Sequence, residues 1–231
     1  MKAFLLTAGL GTRLLPITNT TPKCLVDIAG KPLIHWWFNT MEAAGIKEVL
    51  INLHHLPDQV MDFVNSLTTP IKVTYFFEAS LLGSAGTLRA NYDFVKEEDC
   101  FFIIYADNLT SIPLKDLYQF HLGQSHPFTM ALFTTRTPSS CGIAALDDHK
   151  TIIDFVEKPT NPISNLANAG IYLAHPSIIK MIPDDKMPAD IGFDLLPLLV
   201  NKMSGWKTSD YLIDIGTHEN LAKARLEWPN I

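Results

Sequence analysis

Two cations stand in one glycine-rich stretch near the start of the chain, Arg13 and Lys23 within "GLGTRLLPITNTTPK" (9–23). Arginine presents a planar, bidentate donor to phosphate oxygens, and lysine a compact positive charge. Glycines beside them leave backbone N–H groups open, and such a turn forms an anion-binding nest. Ala8, Gly9, Gly11, Thr12 and Arg13 therefore read as a phosphate cradle, with Pro16 and Pro22 stiffening the return path by fixing φ. Two carboxylates are placed to join it. Asp107 closes the apolar run "CFFIIYA" in "YADN", and Asp214 ends a later β-like run in "LIDIGT". Open α/β sheets bind ligands at the carboxyl ends of their strands, and two carboxylates converging there suit Mg²⁺. Each also has a plainer use, as the cap of the turn or helix that follows it.

The loop is neither of the two common nucleotide fingerprints. A dinucleotide turn needs G-x-G-x-x-G, and Leu14 stands where its third glycine belongs; "VLINLHH" offers no acidic residue for a ribose. No G-x-x-x-x-G-K-[ST] occurs, so the phosphate loop of the Walker type is absent as well. "GSAG" (Gly83, Ser84, Ala85, Gly86) follows a third apolar run and enters a helix, a second place where backbone approaches a flat or anionic ligand. His54 and His55 have no third ligand at a readable spacing and read as loop residues; Trp36 and Trp37 read as core and interface.

The elements that position these residues alternate. Apolar runs at 2–8, 47–53, 71–77, 100–106, 128–135 and 168–175 read as strands. Segments of helical period at 32–45, 58–67, 86–96, 114–122, 193–203 and 217–227 read as helices. Near-continuous apolar strands separated by helices predict a mostly parallel sheet covered on both faces. After Asp107, shorter β-like runs at 142–147 and 151–158 predict a mixed, partly antiparallel extension. At 231 residues with 47% hydrophobic and 18% charged residues, the chain is read as one domain, 1–231, around one large core. A net charge of −6, only four arginines and no lysine run argue against nucleic acid as a partner. Cys24, Cys100 and Cys141 are odd in number and lack C-x-x-C spacing, which predicts free thiols in a reducing, cytoplasmic setting. No apolar stretch reaches the roughly 20 residues of a membrane span.

Taken in order, these segments resemble the sugar-1-phosphate nucleotidylyltransferases. The family pattern G-x-G-T-R-[LF]-x-P-x-T-x-x-x-P-K is met at every fixed position from Gly9 to Lys23. "GKP" (30–32), "GSAG", "YADN", "FVEKP", "NAGIY" and "DIGT" continue it almost to the end of the chain. Within the family, the pattern is nearest to short mannose- or heptose-1-phosphate guanylyltransferases. The resemblance implies a Rossmann-like three-layer α/β/α sandwich with a small β-rich, sugar-binding extension. The nucleotide part would be about 1–110 and the acceptor part about 111–231. It implies metal-dependent in-line transfer: the phosphate of a sugar 1-phosphate attacks the α-phosphate of a nucleoside triphosphate, and pyrophosphate leaves. Arg13 would hold the β- and γ-phosphates, Lys23 would neutralise the α-phosphate, and Asp107 and Asp214 would hold Mg²⁺. Lys158 would meet the acceptor phosphate, and Glu157, Asn168, Asn108 and the backbone at Gly142 the sugar. Two departures stand out: Ala106 replaces the usual glycine before Asp107, and Leu81 replaces a proline before the "GSAG" turn.

The base is read from Glu78, at the end of the third run. A carboxylate only accepts hydrogen bonds, and guanine offers N1–H and N2–H₂ side by side, which favours GTP over UTP or dTTP. Uridylyl or thymidylyl transfer to a hexose or amino-sugar 1-phosphate, and cytidylyl transfer to a phosphorylated non-sugar, stay open. The contrasting class is a non-catalytic sugar-nucleotide sensor, which would have lost one of Arg13, Lys23, Asp107 or Asp214; all are present. With the chain ending at Ile231, no C-terminal repeat domain is expected, and the apolar composition is compatible with a homodimer.

Overall fold

The computed structural model describes every residue from Met1 to Ile231. The first half runs Lys2–Leu6 (β1), Asp27–Ile28 (β2), Lys31–Pro32 (β3), Leu33–Ala43 (α1), Glu48–Leu53 (β4), Pro57–Ser66 (α2) and Lys72–Phe77 (β5). Ser84–Ala90 (α3), Tyr92–Val95 (α4) and Phe101–Tyr105 (β6) complete it. The second half supplies Asn108–Thr110 (β7), Leu114–Leu122 (α5), Phe128–Thr134 (β8), Gly142–Leu146 (β9), Ile152–Glu157 (β10) and Leu166–Ala174 (β11). Ser204–Lys207 (β12), Leu212–Asp214 (β13) and His218–Glu227 (α6) follow.

Nine strands form one sheet, in the order β10-β9-β11-β6-β1-β4-β5, with β8 also on β11 and β12 on β8. β1 lies parallel to both β4 and β6, and β5 is parallel to β4. β11 then runs antiparallel to β6, β8 and β9, which is the mixed extension expected from the shorter runs. Successive side chains of a strand point to opposite faces, and each face here has its own apolar layer. Ala3 and Leu5 of β1 join Trp37, Phe38 and Met41 of α1 on one side. Phe4 and Leu6 join Leu88 of α3 and Phe128 of β8 on the other. The three-layer sandwich follows from those continuous apolar strands.

The strand order sets the place of the site. The chain runs outward from β1 to β4 and β5, then returns to the other side of β1 as β6. Loops leaving β1 and β6 therefore diverge, and a crevice opens at their carboxyl ends. Both catalytic-looking segments of the sequence, Gly9–Lys23 and Asp107, leave the sheet there.

Two expectations about helices need correction, and one short ladder was not foreseen. The helix expected over 193–203 is instead a π turn, Ile191–Leu195, followed by a 3-10 turn, Leu196–Leu199. Pro197 withdraws a helical N–H, while Ile191, Leu195, Leu196 and Leu199 still bury their side chains. The helix expected over 86–96 begins at Ser84 and breaks at Asn91, whose side-chain amide donates back to the Thr87 carbonyl. The ladder between β7 and β13 is too short to read from periodicity, yet it pairs Asp214 with Asn108. Trp37 is buried in the core as expected, and Trp36 meets Trp228 edge-on. No helix is long and apolar enough to cross a membrane.

Gly205 of β12 shows how closely the sheet is covered. A Cβ there would lie 2.5 Å from Leu146 Cδ2 and 2.7 Å from Leu132 Cδ1. Gly205→Ala is expected to lower stability by about 1–3 kcal/mol through overpacking, seen as a lower urea midpoint at unchanged slope.

Candidate active site

The loop after β1 is built around Gly11. Its φ of +63° is a conformation that favours glycine, and a Cβ would lie 2.8 Å from Thr18 Cγ2. The Thr18 hydroxyl donates to the Gly11 carbonyl at 2.9 Å and pins the turn. Gly9 differs: a Cβ there would meet nothing within 4 Å, so its surface is open. From Gly9 through Arg13 the backbone N–H groups donate to no acceptor in the protein. Unpaired amides beside an exposed Arg13 are what an anion cradle requires. Buried Leu14 anchors the 3-10 turn Thr12–Leu14 that carries Arg13.

Lys23, in the 3-10 turn Lys23–Leu25, reaches back under this loop with only 9% of its side chain exposed. Its Nζ lies 2.7 Å from Asp107 Oδ2 and 3.0 Å from Asp214 Oδ1. Arg13 Nη2 is 3.4 Å from Asp214 Oδ2. Burial pulls the Lys23 pKa down, but the two facing carboxylates outweigh it and hold the ammonium above its ordinary value. The neighbouring Cys24 thiol is pushed up to about 12 by burial, which keeps it neutral beside the lysine. Asp107 leaves β6, and its carbonyl accepts from Ile215 N at 3.1 Å, tying the two aspartate segments together. Asp214 does not cap α6: Thr217 does, its Oγ1 accepting from Asn220 N. The capping use left open for the two aspartates is thereby excluded for Asp214.

On the acceptor side, β10 ends at Glu157, opposite Gly142 on β9. Glu157 Oε2 occupies the place of a Cβ on Gly142 and lies 2.8 Å from that of Gly192. Two glycines thus form a slot for one carboxylate that no protein N–H or O–H satisfies. Burial, and secondarily Asp190, raises the Glu157 pKa against the opposing influence of Lys158. Lys158 is exposed, with Nζ 4.0 Å from Glu157 Oε1. Asn168 and Asn108 are turned to other uses. Asn168 donates to the Tyr172 hydroxyl at 2.7 Å and accepts from Gly170 N at 2.9 Å. Asn108, buried, donates to the Ala169 carbonyl at 2.9 Å. Asn168 thereby fixes the irregular stretch within β11, and Asn108 ties β7 to that strand.

The base side also departs from expectation. A cleft of about 270 Å³ runs from Ala8 and Gly9 to Leu81, Gly83 and Ser84. Glu78 borders it, but is only 2% exposed. Its Oε1 accepts from Asn52 Nδ2 at 2.9 Å and Thr87 Oγ1 at 2.5 Å, and its Oε2 from Leu82 N at 2.9 Å. Both oxygens are committed inside the protein, so Glu78 shapes the cleft wall and is no free bidentate reader of guanine. In "GSAG", the N–H groups of Ala85 and Gly86 both go to the Ala189 carbonyl. Gly83 is required because that same carbonyl fills the place of its Cβ, at a φ of +78°. Gly86 thus gives its N–H to the protein, whereas the Gly83 and Ser84 N–H groups donate to no protein acceptor and border the cleft.

Three residues passed over by sequence reasoning complete the site. Asn52 joins the two walls: its Oδ1 accepts from Thr7 N at 2.7 Å while its amide holds Glu78. The signal was a lone polar residue in the run "VLINL". Asp190 accepts from the Ser84 hydroxyl at 2.9 Å and from Gly192 N at 2.8 Å, joining base and acceptor sides; nothing local in sequence marks it. Gly216 is the glycine of "DIGT". A Cβ on it would lie 2.6 Å from Arg13 Nη2, 2.8 Å from Asp214 Oδ1 and 2.9 Å from Lys23 Nζ.

The fold and this site define an α/β protein with paired cations and paired carboxylates at a switch point of the sheet. Residues 2–230 match the family model described as nucleotidyl transferase, and the chain belongs to that family. It is 30% identical over 223 residues to the mannose-1-phosphate guanyltransferase of Candida albicans, covering 94% of this chain and 61% of that one. It is 35% identical over 204 residues to mannose-1-phosphate guanylyltransferase 1 of Arabidopsis thaliana, covering 85% and 55%. The chain therefore spans 61% or less of the length of these relatives. HddC from Yersinia pseudotuberculosis, complexed with GMP-PN, superposes with a TM-score of 0.82 at 25% identity, covering 98% and 99% of the two chains. A Bacillus anthracis structure described as a candidate glucose-1-phosphate thymidylyltransferase, in complex with sucrose, gives 0.88 at 25%, covering 100% and 96%.

Gly216 supplies a test of the geometry. Its φ is not left-handed, and the atoms a methyl would displace are the ends of three side chains and no backbone. Gly216→Ala is expected to leave the melting temperature within about 2 °C but to lower kcat/KM about a hundredfold, through displacement of the functional atoms.

Proposed function

We propose that this chain transfers a guanylyl group from GTP to a mannose-type sugar 1-phosphate, giving a GDP-sugar and pyrophosphate. The observation that carries the reading is the meeting of Arg13, Lys23, Asp107 and Asp214 beside an unpaired amide loop. The names of the relatives favour guanine and mannose; the geometry of Glu78 does not choose the base.

An acceptor phosphate oxygen forms the new bond to the α-phosphorus, and the bond from that phosphorus to the β-bridging oxygen breaks, its electron pair leaving with pyrophosphate. Such chemistry needs positioning and charge neutralisation more than covalent help. The loop N–H groups from Gly9 and the Arg13 guanidinium would hold the β- and γ-phosphates and stabilise the leaving group. Lys23, charged at any physiological pH, would neutralise charge building on the α-phosphate. Glu157, unpaired in its glycine slot, would accept from sugar hydroxyls, and exposed Lys158 would meet the acceptor phosphate. Asp107 and Asp214 would hold Mg²⁺, whose charge the phosphate oxygens would share. The donor set fits that ion: no third His, Cys, Asp or Glu joins the two carboxylates, which leaves the remaining coordination to phosphate and water.

A matrix of four triphosphates against several sugar 1-phosphates, read by pyrophosphate release, tests the reading. GTP with mannose 1-phosphate is expected to lead, and a tenfold or greater preference for UTP or dTTP would sink the guanine assignment. Lys23→Ala and Asp107→Ala are each expected to cut turnover by at least about a hundredfold. Undiminished turnover in either variant would contradict the catalytic roles, and no turnover in the wild type with any pair would favour a sensor. Glu157→Gln is expected to raise KM for the sugar 1-phosphate about tenfold while KM for GTP stays unchanged, checked by initial rates with either substrate varied.

A further inference from the structure

We propose that Lys23 fixes the order in which the site fills: its ammonium holds the place between Asp107 and Asp214 in the resting protein, and a divalent cation gains those carboxylates only together with a triphosphate. This rests on the reading of the two aspartates as metal ligands. The Lys23 Nζ touches one oxygen of each carboxylate, at 2.7 Å and 3.0 Å, and so bridges them as a shared cation would. The position is built for it. Gly216 leaves the room, since a Cβ there would stand 2.9 Å from Nζ, and Gly216 N holds Asp214 Oδ1 at 2.7 Å.

Three of the four carboxylate oxygens already face a donor. Asp107 Oδ2 takes Lys23, Asp214 Oδ1 takes Lys23 and Gly216 N, and Asp214 Oδ2 faces Arg13 at 3.4 Å. Only Asp107 Oδ1 has no donor, and no third acidic, histidine or cysteine side chain adds to the pair. A bare dication would meet one free oxygen and two positive charges within a few ångströms, where like charges repel strongly. A triphosphate changes that balance. Its oxygens offer new partners to Arg13, to the unpaired N–H groups of Gly9 to Arg13 and to Lys23, and they bring ligands to the dication. Lysine suits the exchange because its charge sits on a flexible four-carbon stem. It lies beneath the carboxylates, 9% exposed against 36% and 40% for Asp107 and Asp214, so the open side is left for phosphate.

The test uses Mn²⁺ as the probe and the full chain without nucleotide. Binding is followed by the loss of the free-ion electron paramagnetic resonance signal in wild type, Lys23→Met and Lys23→Gln, with circular dichroism confirming the fold of each. Both variants are expected to bind Mn²⁺ at least about tenfold more tightly than wild type, and to lose that gain when Asp107→Asn is added. Equal nucleotide-free Mn²⁺ affinity in wild type and both variants would overturn the proposal. A parallel arm adds wild type to Mn²⁺ with a non-hydrolysable GTP analogue and reads water proton relaxation. An enhancement that Asp107→Asn abolishes is expected; one that persists in Asp107→Asn/Asp214→Asn would mean instead that the metal-ligand reading itself had failed.

Discussion

One buried ammonium organises this molecule's working end. Lys23 is bound to carboxylates 84 and 191 residues away in sequence, so a single charge draws the first loop, the end of β6 and the approach to α6 to one point. Exposed ion pairs contribute little, because water screens them and side-chain entropy opposes them. Lys23 is not exposed, and removing one partner of a buried pair leaves a charge with nothing to answer it. The aspartates hold the lysine, and the lysine in turn lets two like charges stand side by side. Gly216, Thr217 and Asn220 then fix the backbone around Asp214 so that the arrangement does not depend on side-chain rotamers alone.

A second polar assembly ties the halves together farther along the cleft. Thr7, Asn52, Glu78, Thr87 and Leu82 form a chain of hydrogen bonds from the end of β1 to the start of α3. From there Ala189, Asp190 and Ile191 continue it into the acceptor half, through Ser84 and the first amides of α3. Buried polar groups are costly unless satisfied, and a satisfied chain of them specifies one geometry. The width of the base-side cleft is thus set by residues that have no need to touch a ligand.

The sequence made the fold and the charged centre legible for a common physical reason: both are written in local patterns. Apolar runs of strand length separated by helical periods suffice for a three-layer sheet, and a glycine-rich turn with two cations has no use in packing. What stayed hidden depends on partners far along the chain. Glu78 looks like a free acceptor until Asn52 and Thr87 arrive from neighbouring elements, and nothing near Asn168 in sequence announces that Tyr172 will accept from it. Pro197 was visible, but the apolar spacing around it still read as a helix, because burial and helix formation use the same residues. Asp190 carried no local mark, since its partners are Ser84 and the amides of its own turn.

The Ala189 carbonyl has one more consequence. By accepting from Ala85 and Gly86 it satisfies two amides in the first turn of α3 and leaves those of Gly83 and Ser84 at the edge of the cleft. Among the side chains lining the cleft the one cation, Lys23, stands at the β1 end, while Glu78 and Asp190 border the other. The cleft has a head and a tail. A molecule with a flat end and an anionic end would find a lining cation at only one end of this cleft.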